Sequence, residues 1–274
     1  MNTTLLGLLA ETPIHPGCGR SLGVVDLPVA REAATDYPVI AGSSLKGALR
    51  DRAEAVIKDE EQVKQRFGRP DQAGDLLVSD ARLLLLPVRS LTGAYRWLTC
   101  PHLLERFRRD LARAGLTPLP PAVTVASGSA LAAGSGHLFL EERQFAIQGP
   151  PEAALVSAIQ PLLAHEASQQ RLAGQIAVLH DDDFAWFARY GLAIQARNVL
   201  QDGTKKSENL WYEETLPPDT LMYTLVIGRQ AGAIASLQTL FPADGAYLQA
   251  GGNETVGQGW FAVSVRRAGH GGAP

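Results

Sequence analysis

Short apolar runs bounded by polar residues, glycine or proline recur along the chain and predict buried β-strands. They cover residues 5–10, 76–86, 137–147, 175–179, 221–227, 247–250 and 261–265. Apolar residues at helical spacing predict helices at 42–57, 99–114, 152–166 and 232–240, the third interrupted by Pro161. Strands and helices partly alternate, which favours an α+β fold: one sheet with helices on one face, in one domain with long inserts.

Two extended runs at residues 192–200 and 210–216 flank a polar, glycine-containing segment. This pattern predicts a β-hairpin whose length exceeds that of a simple turn, so the hairpin is expected to protrude. The aromatic residues Trp211 and Tyr212 lie near its base.

Composition and charge give only weak evidence about which classes of function to exclude. The chain has 274 residues, 46% of them hydrophobic, and a net charge of −3, which argues weakly against a nucleic-acid binder because such domains are usually basic. Its two cysteines have no metal-binding spacing and predict no disulfide framework. The N-terminus lacks signal-peptide character, and no apolar run reaches the roughly 20 residues of a membrane span. These features predict a cytoplasmic protein with no membrane partner.

The region 11–52 carries the densest candidate chemistry. A long loop at 13–37 holds His15, Arg20 and Asp26, and loops of this length are usually functional. The helix that follows is predicted to be capped by Ser43 or Ser44.

The basic residues Lys46 and Arg50 lie four residues apart and so share the polar face of this helix. A solvated face is the commoner explanation of such a pair. Two serines and two cations at a helix start nevertheless favour a phosphate-binding site, although the order of residues is not that of a P-loop.

Two further segments allow two interpretations each. The run from His180 to Asp183 suggests a metal site, but acidic residues before an apolar helix are more typical of an N-cap, which we favour. The segment 251–259 contains four glycines and is either a flexible turn or a loop whose backbone approaches a ligand closely.

Six segments together resemble the RAMP superfamily of CRISPR proteins, and more narrowly the backbone subunit of the type III-B effector complex. They are H-P-G-C-G-R-S-L-G-V-V-D-L-P-V-A-R-E at 15–32, G-S-S-L-K-G-A-L-R at 42–50, F-G at 67–68, V-S-D-A at 78–81, L-W-Y-E-E-T-L-P at 210–217 and G-G-N-E-T-V-G-Q-G-W at 251–260. They follow one another along nearly the whole chain, and the first two are the most specific.

The resemblance implies a single RAMP domain over 1–274, with an RRM-like (ferredoxin-like) palm. It also implies a helical fingers insertion at about 98–136 and a β-hairpin thumb at about 194–216. Copies of the chain would form a head-to-tail filament along a crRNA guide, together with other subunits of the effector complex. The subunit would cleave complementary target RNA as a metal-dependent endoribonuclease.

The resemblance also assigns the candidate site residues. Those expected to bind RNA are Arg20, Ser43, Ser44, Lys46, Arg50, Gly251, Gly252, Asn253, Thr255 and Gly257. Asp26 is expected to be catalytic and to bind Mg²⁺ or Mn²⁺, with a ribose 2′-OH as the nucleophile. His15 is a candidate acid or base. Glu213 or Glu214 is either a further catalytic carboxylate or a solvated strand end.

Two other functions stay open. The first is a non-catalytic RNA-binding backbone subunit of a related type III complex. It stays open because a single carboxylate is weak evidence for catalysis. A metabolic enzyme that binds a nucleotide in its glycine-rich loop is disfavoured, because neither a Rossmann nor a P-loop fingerprint is present.

Overall fold

The computed structural model describes residues 2–230, 232–242 and 246–268, so the first residue and the last six of the predicted domain 1–274 lie outside it. The strands are β1 (Asn2–Ala10), β2 (Val39–Ile40), β3 (Gly68–Arg69), β4 (Gln72–Ala73), β5 (Leu76–Val78), β6 (Ala81–Ser90), β7 (Gly93–Thr99), β8 (Ser129–Ala132), β9 (His137–Leu140), β10 (Arg143–Gly149), β11 (Ile176–Leu179), β12 (Ala193–Leu200), β13 (Ser207–Thr215), β14 (Leu221–Gly228), β15 (Tyr247–Gln249) and β16 (Trp260–Arg267). The helices are α1 (Gly42–Val56), α2 (Glu60–Phe67), α3 (Pro101–Arg113), α4 (Ala153–Ile159), α5 (Glu166–Gln175), α6 (Asp181–Tyr190) and α7 (Ala235–Leu240), with 3-10 helices at Gln160–Leu162 and Glu254–Val256.

The centre of the main sheet is antiparallel and has the strand order β16-β1-β14-β6. Helix α1 lies between β1 and β6 along the chain, and α7 lies between β14 and β16. Each helix therefore joins two strands that are separated in the sheet by one other strand, which is the split βαβ arrangement of ferredoxin-like proteins. The fold is mixed α+β, as predicted, and this order is consistent with an RRM-like core.

The sheet continues from β6 through β7, β11, β8 and β10 to β9. A single bridge between Ser90 and Leu140 then connects β9 back to β6. The first part of β6 pairs with β14 and its last part with β7, so this one strand belongs to both halves of the sheet.

Both faces of the sheet are covered. Along β1, Leu6 and Leu8 belong to one hydrophobic cluster, which includes side chains of α1 and α7. Leu5 and Leu9 belong to another, which includes side chains of α4 and α5. The prediction of helices on one face is therefore wrong. Successive apolar residues in a strand point to opposite faces, so an uninterrupted apolar run requires cover on both.

Local chemistry explains where the predicted elements differ from the observed ones. The predicted helix at 152–166 is observed as α4 followed by the 3-10 turn Gln160–Leu162, because Pro161 has no N–H to donate. The predicted strand at 137–147 is two strands, β9 and β10, joined at Glu141, whose φ is 48°. No predicted element corresponds to helices α2 and α5 or to strands β2, β3, β4, β7 and β8.

The predicted hairpin is confirmed as β12 and β13, which pair with each other and form a separate two-stranded sheet. Several of its apolar side chains are exposed: Ile194, Val199, Leu200, Leu210 and Tyr212. No helix in the described ranges combines the length and the apolar character needed to cross a bilayer.

Candidate functional site

The long loop at 13–37 follows the edge of β13 that β12 leaves free. Ile14 exchanges two backbone hydrogen bonds with Leu216, at 3.0 and 2.8 Å. Further along, the N–H of Leu27 donates to the carbonyl of Tyr212, and the N–H of Glu214 donates to the carbonyl of Leu27, both at 3.0 Å. The base of the hairpin therefore fixes both parts of the loop that carry the predicted catalytic residues.

Asp26 lies at the mouth of a groove beside this hairpin base. Its Oδ2 accepts a hydrogen bond of 2.8 Å from the N–H of Tyr212, and its side chain is partly exposed. The groove has a volume of about 460 Å³ and is lined by Arg20, Ser21, Leu22, Asp26, Leu27, Asn209, Leu210, Trp211 and Glu213. Arg20 is exposed and has no ion pair within the described ranges. A cation and a carboxylate thus line a groove that is open to a ligand.

His15 is buried between the hairpin base and the glycine-rich loop. Its Nδ1 lies 2.8 Å from the carbonyl oxygen of Glu214. A carbonyl can only accept, so Nδ1 carries a proton and donates it to this oxygen. A Cβ built on Gly17 would lie 2.9 Å from Nε2, so glycine leaves space beside this atom. His15 and Asp26 thus contact β13 at positions two residues apart, about 7 Å along the strand.

Glu213 is only 3% exposed, so the interpretation of a solvated strand end is wrong for it. Its Oε1 accepts from Trp211 Nε1 at 2.7 Å, and its Oε2 accepts from Arg197 Nε at 3.1 Å and from Asn253 Nδ2 at 2.9 Å. Burial alone would raise the pKa of Glu213, but the hydrogen bonds from Trp211 and Asn253 and the charges of Arg197 and His15 hold that pKa below its usual range. The carboxylate is therefore ionised near neutral pH, and both oxygens are occupied.

Glu214 is likewise buried and not a solvated strand end. Its Oε1 accepts from Arg31 Nη2 at 2.7 Å, and its Oε2 accepts from the N–H of Val29 at 3.0 Å. The two neighbouring glutamates contact different parts of the molecule: Glu213 contacts the glycine-rich loop, and Glu214 contacts the loop that carries Asp26. Both carboxylates have the contacts of residues that hold loops in place.

The start of α1 differs from the prediction in its cap. Neither Ser43 nor Ser44 caps the helix; the N–H of Gly42 donates to Asp80 Oδ1 at 2.7 Å. Gly42 is required there, because a Cβ would lie 2.8 Å from the carbonyl oxygen of Val78. Both serines are exposed in the first turn, so their hydroxyl groups face solvent instead of closing the helix.

The two predicted cations of α1 have different surroundings. Lys46 is partly exposed and has no ion pair among the described residues. Arg50 pairs with Glu54 at 2.8 Å, where both side chains are exposed. An exposed pair of this kind contributes only about 0.3–0.5 kcal/mol, so a phosphate can readily displace Glu54.

The glycine-rich segment is an ordered turn held by hydrogen bonds. The N–H of Gly252 donates to the carbonyl of His15 at 2.9 Å, and a Cβ on Gly251 would lie 3.0 Å from the same oxygen. The side-chain amide of Asn253 donates to Glu213 and to Gln258 Oε1, so these contacts within the protein occupy it. Thr255, like Gly251, Gly252 and Gly257, is exposed.

A resident metal is not supported by the ligand set. No group of three or more His, Cys, Asp or Glu residues in the described ranges is arranged to hold a metal ion. Mg²⁺, however, usually keeps several waters and is held by one or two carboxylates together with substrate phosphates. The second oxygen of Asp26 has no partner within the described part of the chain. Asp26 therefore fits a metal ion that also binds an RNA phosphate.

The run from His180 to Asp183 caps helix α6 and accepts hydrogen bonds from two neighbouring segments. His180 Nδ1 accepts from the N–H of Asp182, so the cap interpretation holds, although the capping residue is the histidine. Asp183 accepts from the N–H of Gly128 at 2.8 Å, and Asp181 accepts from the N–H of His102 at the start of α3.

Comparisons with known proteins agree with this architecture. The RAMP superfamily model matches residues 8–262. A curated relative from Pyrococcus furiosus, the CRISPR system Cmr endoribonuclease Cmr4, is 39% identical over 285 residues, covering 97% of this chain and 96% of its own length.

Solved structures of Cmr proteins also match this chain along nearly its whole length. The crystal structure of oligomeric Cmr4 from Pyrococcus furiosus matches with a TM-score of 0.78 and 33% identity, covering 97% of this chain and 98% of that one. A subunit of the type III-B Cmr-beta complex bound to cognate target RNA matches in fold, with a TM-score of 0.77, 20% identity and 97% coverage of each chain. With a family match over most of its length and a curated relative at 39% identity, the chain belongs to the RAMP superfamily and, within it, to the Cmr4 family.

Proposed function

We propose that this protein is the backbone subunit of a type III-B CRISPR effector, and that it binds a crRNA guide and cleaves complementary target RNA. One observation carries the proposal. The base of the hairpin holds Asp26 at an open groove and, two residues further along the same strand, holds His15 against the glycine-rich loop. The hairpin and the glycine-rich loop, both expected to contact RNA, thus lie close to Asp26, the residue expected to cleave it. The complex would act in the cytoplasm.

The hairpin and the region 98–136 take the roles of thumb and fingers on an RRM-like palm, within one RAMP domain. Copies of the chain stack head to tail along the guide, which is a heterologous contact that can extend into a filament. The relatives support this assembly: one solved structure is of oligomeric Cmr4, and another is of a type III-B complex bound to target RNA.

Guide binding is assigned to two surfaces. The first is the start of α1, where the exposed Ser43 and Ser44 are followed by Lys46 and Arg50. The second is the exposed part of the glycine-rich turn, with Arg20 in the nearby groove. Phosphate contacts do not depend on sequence, as a protein that accepts any guide requires. A narrow cationic surface is compatible with the net charge of −3.

Replacing both Lys46 and Arg50 with alanine is expected to weaken guide binding about tenfold and to flatten its salt dependence. The slope of log K against log salt concentration is negative, and each lost contact to single-stranded RNA makes it less negative by about 0.7, so loss of the pair should change it by about +1.4. Fluorescence anisotropy with a labelled guide at several salt concentrations measures both quantities.

The matched control removes the same charge outside the assigned phosphate site, by replacing Arg89 and Arg109 with alanine. Their partners are Glu141 and Glu105, and both arginines are exposed. A salt slope that changes equally in both double variants, or in neither, would rule out the assigned phosphate site.

Cleavage is assigned to Asp26 and His15. The ribose 2′-oxygen attacks the adjacent phosphorus while His15 Nε2 accepts the 2′-OH proton, and the bond from phosphorus to the 5′-oxygen breaks. The leaving 5′-oxygen takes a proton from water, so the products are a 2′,3′-cyclic phosphate and a 5′-hydroxyl group. Asp26 would hold a divalent metal ion at the groove, beside the reacting phosphate. A bound Mg²⁺ or Mn²⁺ would supply charge stabilisation on the phosphate oxygens.

A guided cleavage assay on the assembled complex tests the function. RNA complementary to the guide should be cut, whereas a scrambled RNA of equal length should stay intact. EDTA should stop the reaction, and added Mg²⁺ should restore it. Full cutting in EDTA would remove the metal from the mechanism. A complex that binds complementary RNA but never cuts it would support the alternative, a non-catalytic backbone subunit of a related type III complex.

A further inference from the structure

Arg31 lies where the loop carrying Asp26 meets the hairpin. Its Nη1 donates to the carbonyl oxygens of Asp36 and Ala188, both at 2.8 Å. Its Nη2 donates to Glu214 Oε1 at 2.7 Å and to the carbonyl of Arg189 at 3.5 Å. The side chain is only 16% exposed. Four acceptors from three segments of the chain therefore surround one guanidinium group.

Two of these acceptors belong to the last turn of α6, whose carbonyls have no partners within the helix. A cation is favourable there because it complements the negative end of the helix dipole. Strand β12 begins at Ala193, three residues after α6 ends, and Glu214 lies near the end of β13. Arg31 thus contacts the chain close to both ends of the hairpin.

The same contacts support the backbone close to Asp26, together with the hydrogen bonds of Leu27 to Tyr212 and Glu214. Glu214 Oε2 accepts from the N–H of Val29, so the ion pair with Arg31 also fixes the backbone just beyond Asp26. Asp26 in turn accepts from the N–H of Tyr212, two residues before Glu214 on the hairpin strand. A change at Arg31 would let the hairpin shift relative to the loop and would move the carboxylate of Asp26 with it.

We propose that Arg31 is a positioning residue for target cleavage, which holds both ends of the hairpin against the loop that carries Asp26. The inference rests on the proposed role of Asp26. It depends on arginine specifically, because a planar group with five N–H donors can bind a carboxylate and two helix carbonyls together. The single ammonium group of lysine keeps the charge but cannot span these acceptors.

The test is single-turnover cleavage by the assembled, guide-loaded complex, comparing the wild type with Arg31→Lys. The rate at saturating target should fall by about 10- to 100-fold, since small displacements of reacting groups have effects of that size. The target concentration for half-maximal rate and the affinity for the guide should stay unchanged. A role limited to folding would instead lower the amount of assembled complex and leave the rate per complex unchanged.

A second variant separates an effect on cleavage from a loss of folding. Replacing Arg31 with methionine and Glu214 with glutamine removes both charges, so no buried charge is left unpaired. This double variant should bind target normally and cleave slowly. The matched control is Arg189→Met, because that side chain forms an exposed pair with Asp36 at the other end of the same loop. The control should cleave at the wild-type rate.

Two outcomes separate this inference from the proposed function. If Arg31→Lys cleaves at the wild-type rate while Asp26→Asn is inactive, the positioning role is overturned and the proposed function stands. If Asp26→Asn also cleaves at the wild-type rate, the assignment of the site fails and the inference fails with it. Loss of target binding in both Arg31 variants would overturn the positioning role as well.

Discussion

Replacing Asp26 with asparagine is expected to reduce target cleavage by at least about 100-fold while leaving guide and target binding unchanged. Removing one group that stabilises charge in a transition state has an effect of this order. Asparagine keeps the shape of the side chain and an oxygen that can accept the hydrogen bond from the N–H of Tyr212, at 2.8 Å in the wild type. The loop should therefore keep its place on β13, and only the negative charge at the groove is lost.

Single-turnover cleavage and target binding by the same assembled complex measure the two quantities separately. Asp71→Asn is a suitable control, because the side chain of Asp71 is 83% exposed and lies beyond α2. Wild-type cleavage by Asp26→Asn would remove this residue from the chemistry. A loss of target binding would instead assign Asp26 to the structure of the loop.

Local sequence patterns predicted most elements of the core because the information lies within a few residues. The apolar runs of β1, β11 and β14 and the helical spacing in α1 and α3 are local features of this kind. The hairpin was predicted for the same reason, since two extended runs flank one polar segment. The number of covered faces was missed, although the consecutive buried leucines of β1 already require cover on both sides.

The geometry of the site was not accessible in the same way, because its contacts join residues far apart in sequence. His15 and Glu214 are separated by 199 positions, and the capping pair Gly42 and Asp80 by 38. A serine at a helix start is a good cap by propensity, but a carboxylate from another segment reaches the N–H of Gly42. Contacts between distant segments, and not local residue preferences, thus determine the cap of α1 and the position of His15.

The surroundings of the two adjacent glutamates were also not predictable from local sequence. In the sequence, Glu213 and Glu214 resemble either catalytic groups or a solvated strand end. Their burial follows from partners in three other segments, which contribute Arg31, Arg197 and Asn253. The repeated acidic pair at the end of an extended run was the available signal, since two charges in a buried strand require partners on both faces.

Replacing Glu213 with alanine is expected to destabilise the protein by about 3 kcal/mol at neutral pH. The change leaves the guanidinium of Arg197 without its partner and orphans two N–H donors, on Trp211 and Asn253. Breaking a buried ion pair by removing one member has a cost of this size. Urea denaturation followed by circular dichroism measures it, and Glu60→Gln, which changes an exposed carboxylate, should alter stability by less than about 0.5 kcal/mol.

The effect of this substitution should also depend on pH in a defined direction. Because the folded-state pKa of Glu213 lies below its usual value, the ionised group stabilises the folded protein above that usual value. The stabilisation is lost as the pH falls through the lowered pKa. The difference in unfolding free energy between wild type and variant should therefore be largest near pH 7 and should shrink on acidification below the ordinary range of a glutamate. A difference that is constant with pH would mean that the ionised carboxylate does not join the hairpin to the glycine-rich turn.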